Sequence, residues 1–176
     1  MMVGSQFRLA AVTAFCLLTA ACASAPEYSG NTPGWSGAES SGGPLQCVPF
    51  ARDHSQVKIY GDAADWWDKA AGLYARGEVP QLGSILVLTG YAGPHRSHVA
   101  VVTAMVSDRE IRVDHANWLN DGAVFTDDPV VDVSPDNDWS QVKVYNERIG
   151  AWGTRIYLVQ GFIGPSRDNP LVADNS

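Results

Sequence analysis

The chain has no block of lysine or arginine, and its 12 basic side chains face 19 acidic ones over 176 residues. At a net charge of −7, nothing in it would release the counterions of a phosphate backbone, which sets nucleic acid aside as a partner. Cysteine is scarce, at three residues, and no cysteine–histidine pair has the spacing of a metal-ligand set. No metal or cofactor is therefore expected. No internal repeat is visible, and the one marked apolar run, Leu9 to Leu18, is too short to span a bilayer.

What is present reads as globular. Apolar residues make up 45% of the chain and charged residues 18%, which are not the proportions of a disordered protein. Six tryptophans suit a packed core with aromatic-walled grooves, although core packing alone accounts for them equally well. Once a leader and a loose linker are set apart, one domain of about 120 residues remains, long enough to bury a core without staples.

The leader is residues 1–21. Arg8, the apolar run and the small residues Thr19, Ala20 and Ala21 have the order of an export signal. Cys22 behind Leu18-Thr19-Ala20-Ala21 resembles a bacterial lipoprotein cleavage box, with Thr19 where leucine is usual. The expected product is a membrane-anchored lipoprotein facing the periplasm or cell wall; ordinary cleavage nearby would leave a secreted soluble protein. Removing the leader, whose one charged side chain is Arg8, takes the net charge to −8. Residues 22–44 are rich in Gly, Ser and Pro and form a flexible tether, with a reach of ~25 Å as a coil and ~75 Å pulled straight.

With Cys16 lost in the leader and Cys22 lipidated or cut away, Cys47 is the one thiol left, in an oxidising compartment. Lone thiols there are usually avoided unless used. The plain alternatives are a buried, inert cysteine or a disulfide to an unlipidated Cys22. Pro49 is tolerated in a helix only in the first turn, so a helix over 47 to about 56 starts at Cys47. There the free N–H groups favour a thiolate, and the backbone N–H of Cys47 is placed to receive an oxyanion.

Asp62 caps a second expected helix, from Ala63 to about Leu73, that buries Trp66, Trp67, Ala70 and Leu73. The period then changes. Strands are expected at 84–88, at 98–102, from 111 toward 118, at 142–145 and at 156–159, closed by Gly161-Phe162-Ile163. Pro129, Pro135 and several aspartates read as a long loop, and 166–176 as a frayed tail. Helices first and an antiparallel sheet after them is the α+β order.

A nucleophilic thiol needs a base. His54 shares the helix of Cys47 but sits ~10 Å further along its axis, too far to serve. His98 opens a buried strand at its loop end and is the first choice; His95, in a proline-containing loop, is the second. A two-residue turn at Ser107-Asp108 sets His98 opposite Asn117, and one at Asp108-Arg109 makes Asn117 its diagonal neighbour. Either register puts His98, His115 and Asn117 on one face. Asn117 or His115 is then within reach to orient the His98 ring.

These pieces resemble the CHAP family, the cysteine, histidine-dependent amidohydrolases/peptidases of the papain-like, NlpC-P60 superfamily. The matching residues are Cys47-Val48-Pro49-Phe50-Ala51-Arg52, Gly61-Asp62-Ala63 with Trp66-Trp67, Pro80 to Gly83, His98-Val99-Ala100-Val101-Val102, His115-Ala116-Asn117-Trp118 and Gly161-Phe162-Ile163, in a domain of residues 45–165. The resemblance implies a papain-like α+β fold, with N-terminal helices packed on an antiparallel β-sheet. It also implies hydrolysis of an amide bond in peptidoglycan, either between sugar and stem peptide or within the stem or cross-bridge. By position, Cys47 matches the nucleophile, His98 the general base and acid, and Asn117 a polar member of the site that orients His98, with His115 as the alternative. Two departures stand out. Many members carry an acid where this chain has His115, and an aspartate where it has Ser84. The peptidoglycan stem peptide is thus the expected substrate partner, besides a membrane reached through Cys22. The competing expectation is a catalytically weak or inactive peptidoglycan-binding lipoprotein that uses the same groove.

Overall fold

The computed structural model describes residues 45–166. The leader, the tether with Cys22 and the tail beyond Ser166 lie outside the described residues. The described chain forms eight strands: β1 Tyr74–Gly77, β2 Ile85–Thr89, β3 His98–Ser107, β4 Glu110–Ala116, β5 Val124–Asp132, β6 Gln141–Asn146, β7 Ala151–Trp152 and β8 Tyr157–Ser166. Helix α1 covers Cys47–Asp53. A 3₁₀ turn at Ala63–Asp65 leads into α2, Trp66–Lys69.

This corrects the expected α+β, papain-like arrangement of helices on a sheet. The described chain is mostly β, and its strands run in the order β1-β8-β2-β3-β4-β5-β6-β7. β8 also pairs with β6, through Gln141 opposite Leu158 and Val142 opposite Tyr157, so six strands close into a barrel. Two local causes hid this from a linear reading. The stretch taken for a long loop contains β5, which tolerates Pro129 opposite Arg112. The expected second helix stops at Lys69, and Gly72, at φ 79°, turns the chain into β1. Leu73 is consequently 61% exposed instead of buried.

Closure gives each strand an inner and an outer face. Leu86, Leu88, Ala100, Val102, Ile111, Val113, Val130, Val142, Val144 and Phe162 form one buried cluster, the barrel filling. Their sequence neighbours Ile85, Val87, Val99, Val101 and Ile163 face out and are covered by Ala51, Val57, Ile59, Trp66 and Ala70. Asp62 does cap the turn before α2, its Oδ1 accepting from the Ala64 N–H at 3.2 Å. The capped turn brings Trp66 and Trp67 down onto the barrel wall.

Trp67 lies where only glycine fits. A Cβ on Gly161, at φ 145°, would stand 2.5 Å from two Trp67 ring carbons and 2.8 Å from the Gly77 carbonyl oxygen. The ring and the backbone cannot both give way, so Gly161→Ala is expected to cost about 3 kcal/mol or more of folding free energy. Chemical denaturation of the two proteins measures this; equal midpoints would show that the contact is soft.

The β3–β4 hairpin sets the site. Its tight turn is Asp108-Arg109, with Ser107 opposite Glu110, but two irregularities shift the register to Val101 opposite Asp114. At the far end of the hairpin the pairing thus suits His98 beside 115–117, and the inner face is continuous from Val102 and Val113 to His98 and His115.

Candidate functional site

α1 packs on β3 and β4 and presents Cys47 in its first turn. Pro49 fits there because the N–H it lacks would have no helical acceptor. Phe50 and Ala51 are buried, and His54 closes the C-terminal end, its Nδ1 2.8 Å from the Phe50 carbonyl oxygen and its ring stacked on Phe50. His54 is thereby occupied at the opposite end of the helix from the thiol.

Cys47 is a free, half-buried thiol on the wall of an open cleft of about 620 Å³, shared with Gln46, Arg52, Asp62, Arg96 and Ser97. Burial pushes its pKa up, and the Asp62 carboxylate adds to this. The N–H groups of Val99, Val48 and Cys47 itself pull the other way without cancelling it. The thiolate expected at a helix start is therefore not the resting form: desolvation outweighs the local N–H groups. His98 is fully buried, and burial, followed by the nearby charge of His115, holds its pKa well below the usual histidine value of 6.5. Thiol and imidazole both rest neutral.

His98 Nε2 is 3.0 Å from His115 Nδ1, and His115 Nε2 is 3.0 Å from Asp128 Oδ2. All three side chains are about 1% exposed. Aromatic rings close over them: Tyr91 and Trp118 lie 5.0 and 4.9 Å from the His98 ring, and Phe125 lies 5.8 Å from His115. Burial pushes the Tyr91 phenol up to about 12, helped by Tyr157 and then by Cys47, so it stays protonated near neutrality.

The donor–acceptor logic of this line has one solution for neutral rings. A carboxylate only accepts, so His115 donates from Nε2 to Asp128. Its Nδ1 is then bare and accepts from His98 Nε2–H. That leaves His98 Nδ1 as the free lone pair. Asp128 thus dictates the tautomer of His98 across an intervening ring.

A bulge delivers Asp128. Val113 pairs with Asp128, but His115 pairs with Phe125, one residue out of step. Asp127 takes up the slack at φ 56°, its N–H donating to Asp114 Oδ1 at 2.8 Å. Asp114 is spent on that contact and does not face the histidines. Asn117, at φ 62°, donates from Nδ2 to Gln46 Oε1 at 2.8 Å and accepts from the Gly122 N–H at 2.9 Å. Of the two candidates for orienting His98, His115 makes the contact with the ring; Asn117 ties the residue before Cys47 to the end of β4. His95 is exposed in the loop before β3. Ser84 is buried, with its hydroxyl donating to the Gln81 carbonyl at 2.7 Å.

Asp128 does not stand out in the sequence, because Pro129, Pro135 and the neighbouring aspartates mark its stretch as loop. Its signal was the alternation Asp128, Val130, Asp132, which are the buried positions of β5.

Neither a curated protein nor a solved structure matches the chain. A family model described as CHAP domain matches residues 37–117, the stretch that holds Cys47, His98, His115 and Asn117 but stops short of Asp128. Over residues 37–117 the chain is thus similar to the CHAP domain, a family of the peptidoglycan amidase/peptidase type.

Proposed function

We propose that the protein hydrolyses an amide bond of peptidoglycan, with Cys47 as nucleophile and His98 as its base. The observation that carries this reading is the buried line His98–His115–Asp128, together with the Val99 N–H, next to His98, which acts to lower the Cys47 thiol pKa. The bond cut is an N-acetylmuramoyl-L-alanine amide or a stem or cross-bridge peptide bond.

The substrate carbonyl enters the cleft beside Cys47. His98 Nδ1 takes the thiol proton as the sulfur bonds to the carbonyl carbon, so the ion pair forms only as the bond does. The backbone N–H of Cys47 supports the oxyanion. The imidazolium on His98 keeps its Nε2–H bond to His115, which in turn leans on the Asp128 carboxylate. Collapse breaks the C–N bond, and the Nδ1 proton leaves with the amine. Water, deprotonated by the same nitrogen, then cleaves the thioester and frees the acid and the thiol. Asn117 acts at one remove, fixing Gln46 and through it the entry to α1.

The test is digestion of defined peptidoglycan in H₂¹⁸O, with fragments read by mass spectrometry. The expected result is a new amine and a new carboxylate bearing one ¹⁸O. Joined fragments without ¹⁸O would indicate acyl transfer between stem peptides instead, and an unchanged wall would leave a binding protein. A pH profile adds a second check. Because the His98 pKa is lowered and its neutral form is the base, kcat/KM should hold as pH falls through 6.5, with its acid limb below that value. An acid limb at or above 6.5 would assign the base elsewhere. Export, with a lipid at Cys22, remains part of the proposal and accords with a substrate outside the cytoplasm.

A further inference from the structure

We infer that the cleft at Cys47 selects substrates carrying a free carboxylate close to the scissile amide, held by Arg96 and Arg52; this rests on the hydrolase reading above. The chain is acidic, yet two of its 12 basic side chains line this one cleft. Arg96 is exposed, and among the described residues its guanidinium has no ion pair or hydrogen bond. Its backbone, by contrast, is fixed: its N–H donates to the Gly93 carbonyl and its carbonyl accepts from the Tyr91 N–H. The loop therefore holds the residue in place and leaves its charge without an ion-pair partner among the described residues. The Arg52 guanidinium carbon lies over the Tyr60 ring, 4.4 Å from its centroid, and the Asp53 carboxylate is a loose 3.8 Å away and 61% exposed. A guanidinium held over an aromatic ring can still donate N–H groups, and a guanidinium grips a carboxylate through two parallel hydrogen bonds. Asp62 lines the same cleft, with Oδ1 already accepting from the Ala64 N–H. Its charge leaves the lining at a net +1, suited to a single carboxylate and poorly suited to a dianionic phosphate.

The experiment compares two stem peptides that differ only in whether the carboxyl next to the cleaved bond is free or amidated. Wild-type protein is expected to prefer the free acid in kcat/KM by about tenfold or more, as a lost charge-assisted contact predicts. Arg96→Gln and Arg52→Gln should each pull that preference toward one, and Arg112→Gln, which removes a cation paired with Glu110 at 2.9 Å, should not. Equal turnover of the two peptides by wild type, or an undiminished preference in both cleft variants, overturns the inference. If wild type cleaves neither peptide, the hydrolase reading fails, and binding of both to Cys47→Ala protein decides the clamp: a tenfold preference for the free acid keeps it and equal affinity removes it.

Discussion

Cys47→Ser and His98→Ala are each expected to lower hydrolysis of defined peptidoglycan fragments by about 10⁴-fold or more, to the level of the buffer. Serine presents a far weaker acid than a thiol in a site that already disfavours the anion, as burial pushes the Cys47 pKa up. A base tuned to take a proton from sulfur has little driving force to take one from an alcohol. Loss of His98 removes the one ring nitrogen that the line from Asp128 leaves bare. The alanine also strands the Nδ1 of buried His115, so His98→Gln, with its melting curve, separates lost chemistry from lost packing. His54→Ala should retain activity, since that ring is engaged with Phe50 at the other end of α1. Full activity in His98→Ala would end the assignment.

The parts of the site that sit on local signals were legible in the sequence. Pro49 marks the first turn of a helix, so Cys47 was placed at its start, where α1 has it. Period two put His98 and His115 on one face, and the structure brings their nitrogens to 3.0 Å. What failed was non-local. Barrel closure depends on β6 meeting β8 across an intervening hairpin, and no residue in either strand announces its partner. Asp128 depends on a one-residue bulge at Asp127, which a linear reading through Pro129 took for a loop. The sign of the Cys47 shift also escaped: the helix start was visible, but the burial that outweighs it was not. The acid absent at position 115 departs from the CHAP pattern, yet the fold places a carboxylate one ring further back, from β5.

That carboxylate gives the sharpest remaining test of the mechanism. Asp128→Asn is nearly isosteric and should leave the fold intact while lowering kcat by about 10⁴-fold, the effect expected where a triad acid fixes a histidine tautomer. The amide has two ways to sit. With its NH₂ toward His115, Nε2 must accept, Nδ1–H then donates to His98 Nε2, and the proton of a neutral His98 moves to Nδ1, where the base lone pair is needed. With its oxygen toward His115 the tautomers survive, but the NH₂ is buried where Oδ1 now lacks a partner among the described residues, and the negative charge that steadies the imidazolium is still gone. Both arrangements weaken the base and neither touches the substrate. Two readouts distinguish this from structural damage. Histidine ¹⁵N shifts report which ring nitrogen of His98 carries the proton, and the inverted tautomer would be visible there directly. Thermal melting reports the fold. Activity within about threefold of wild type would mean that His98 takes its tautomer from its own surroundings and that Asp128 serves only to satisfy His115.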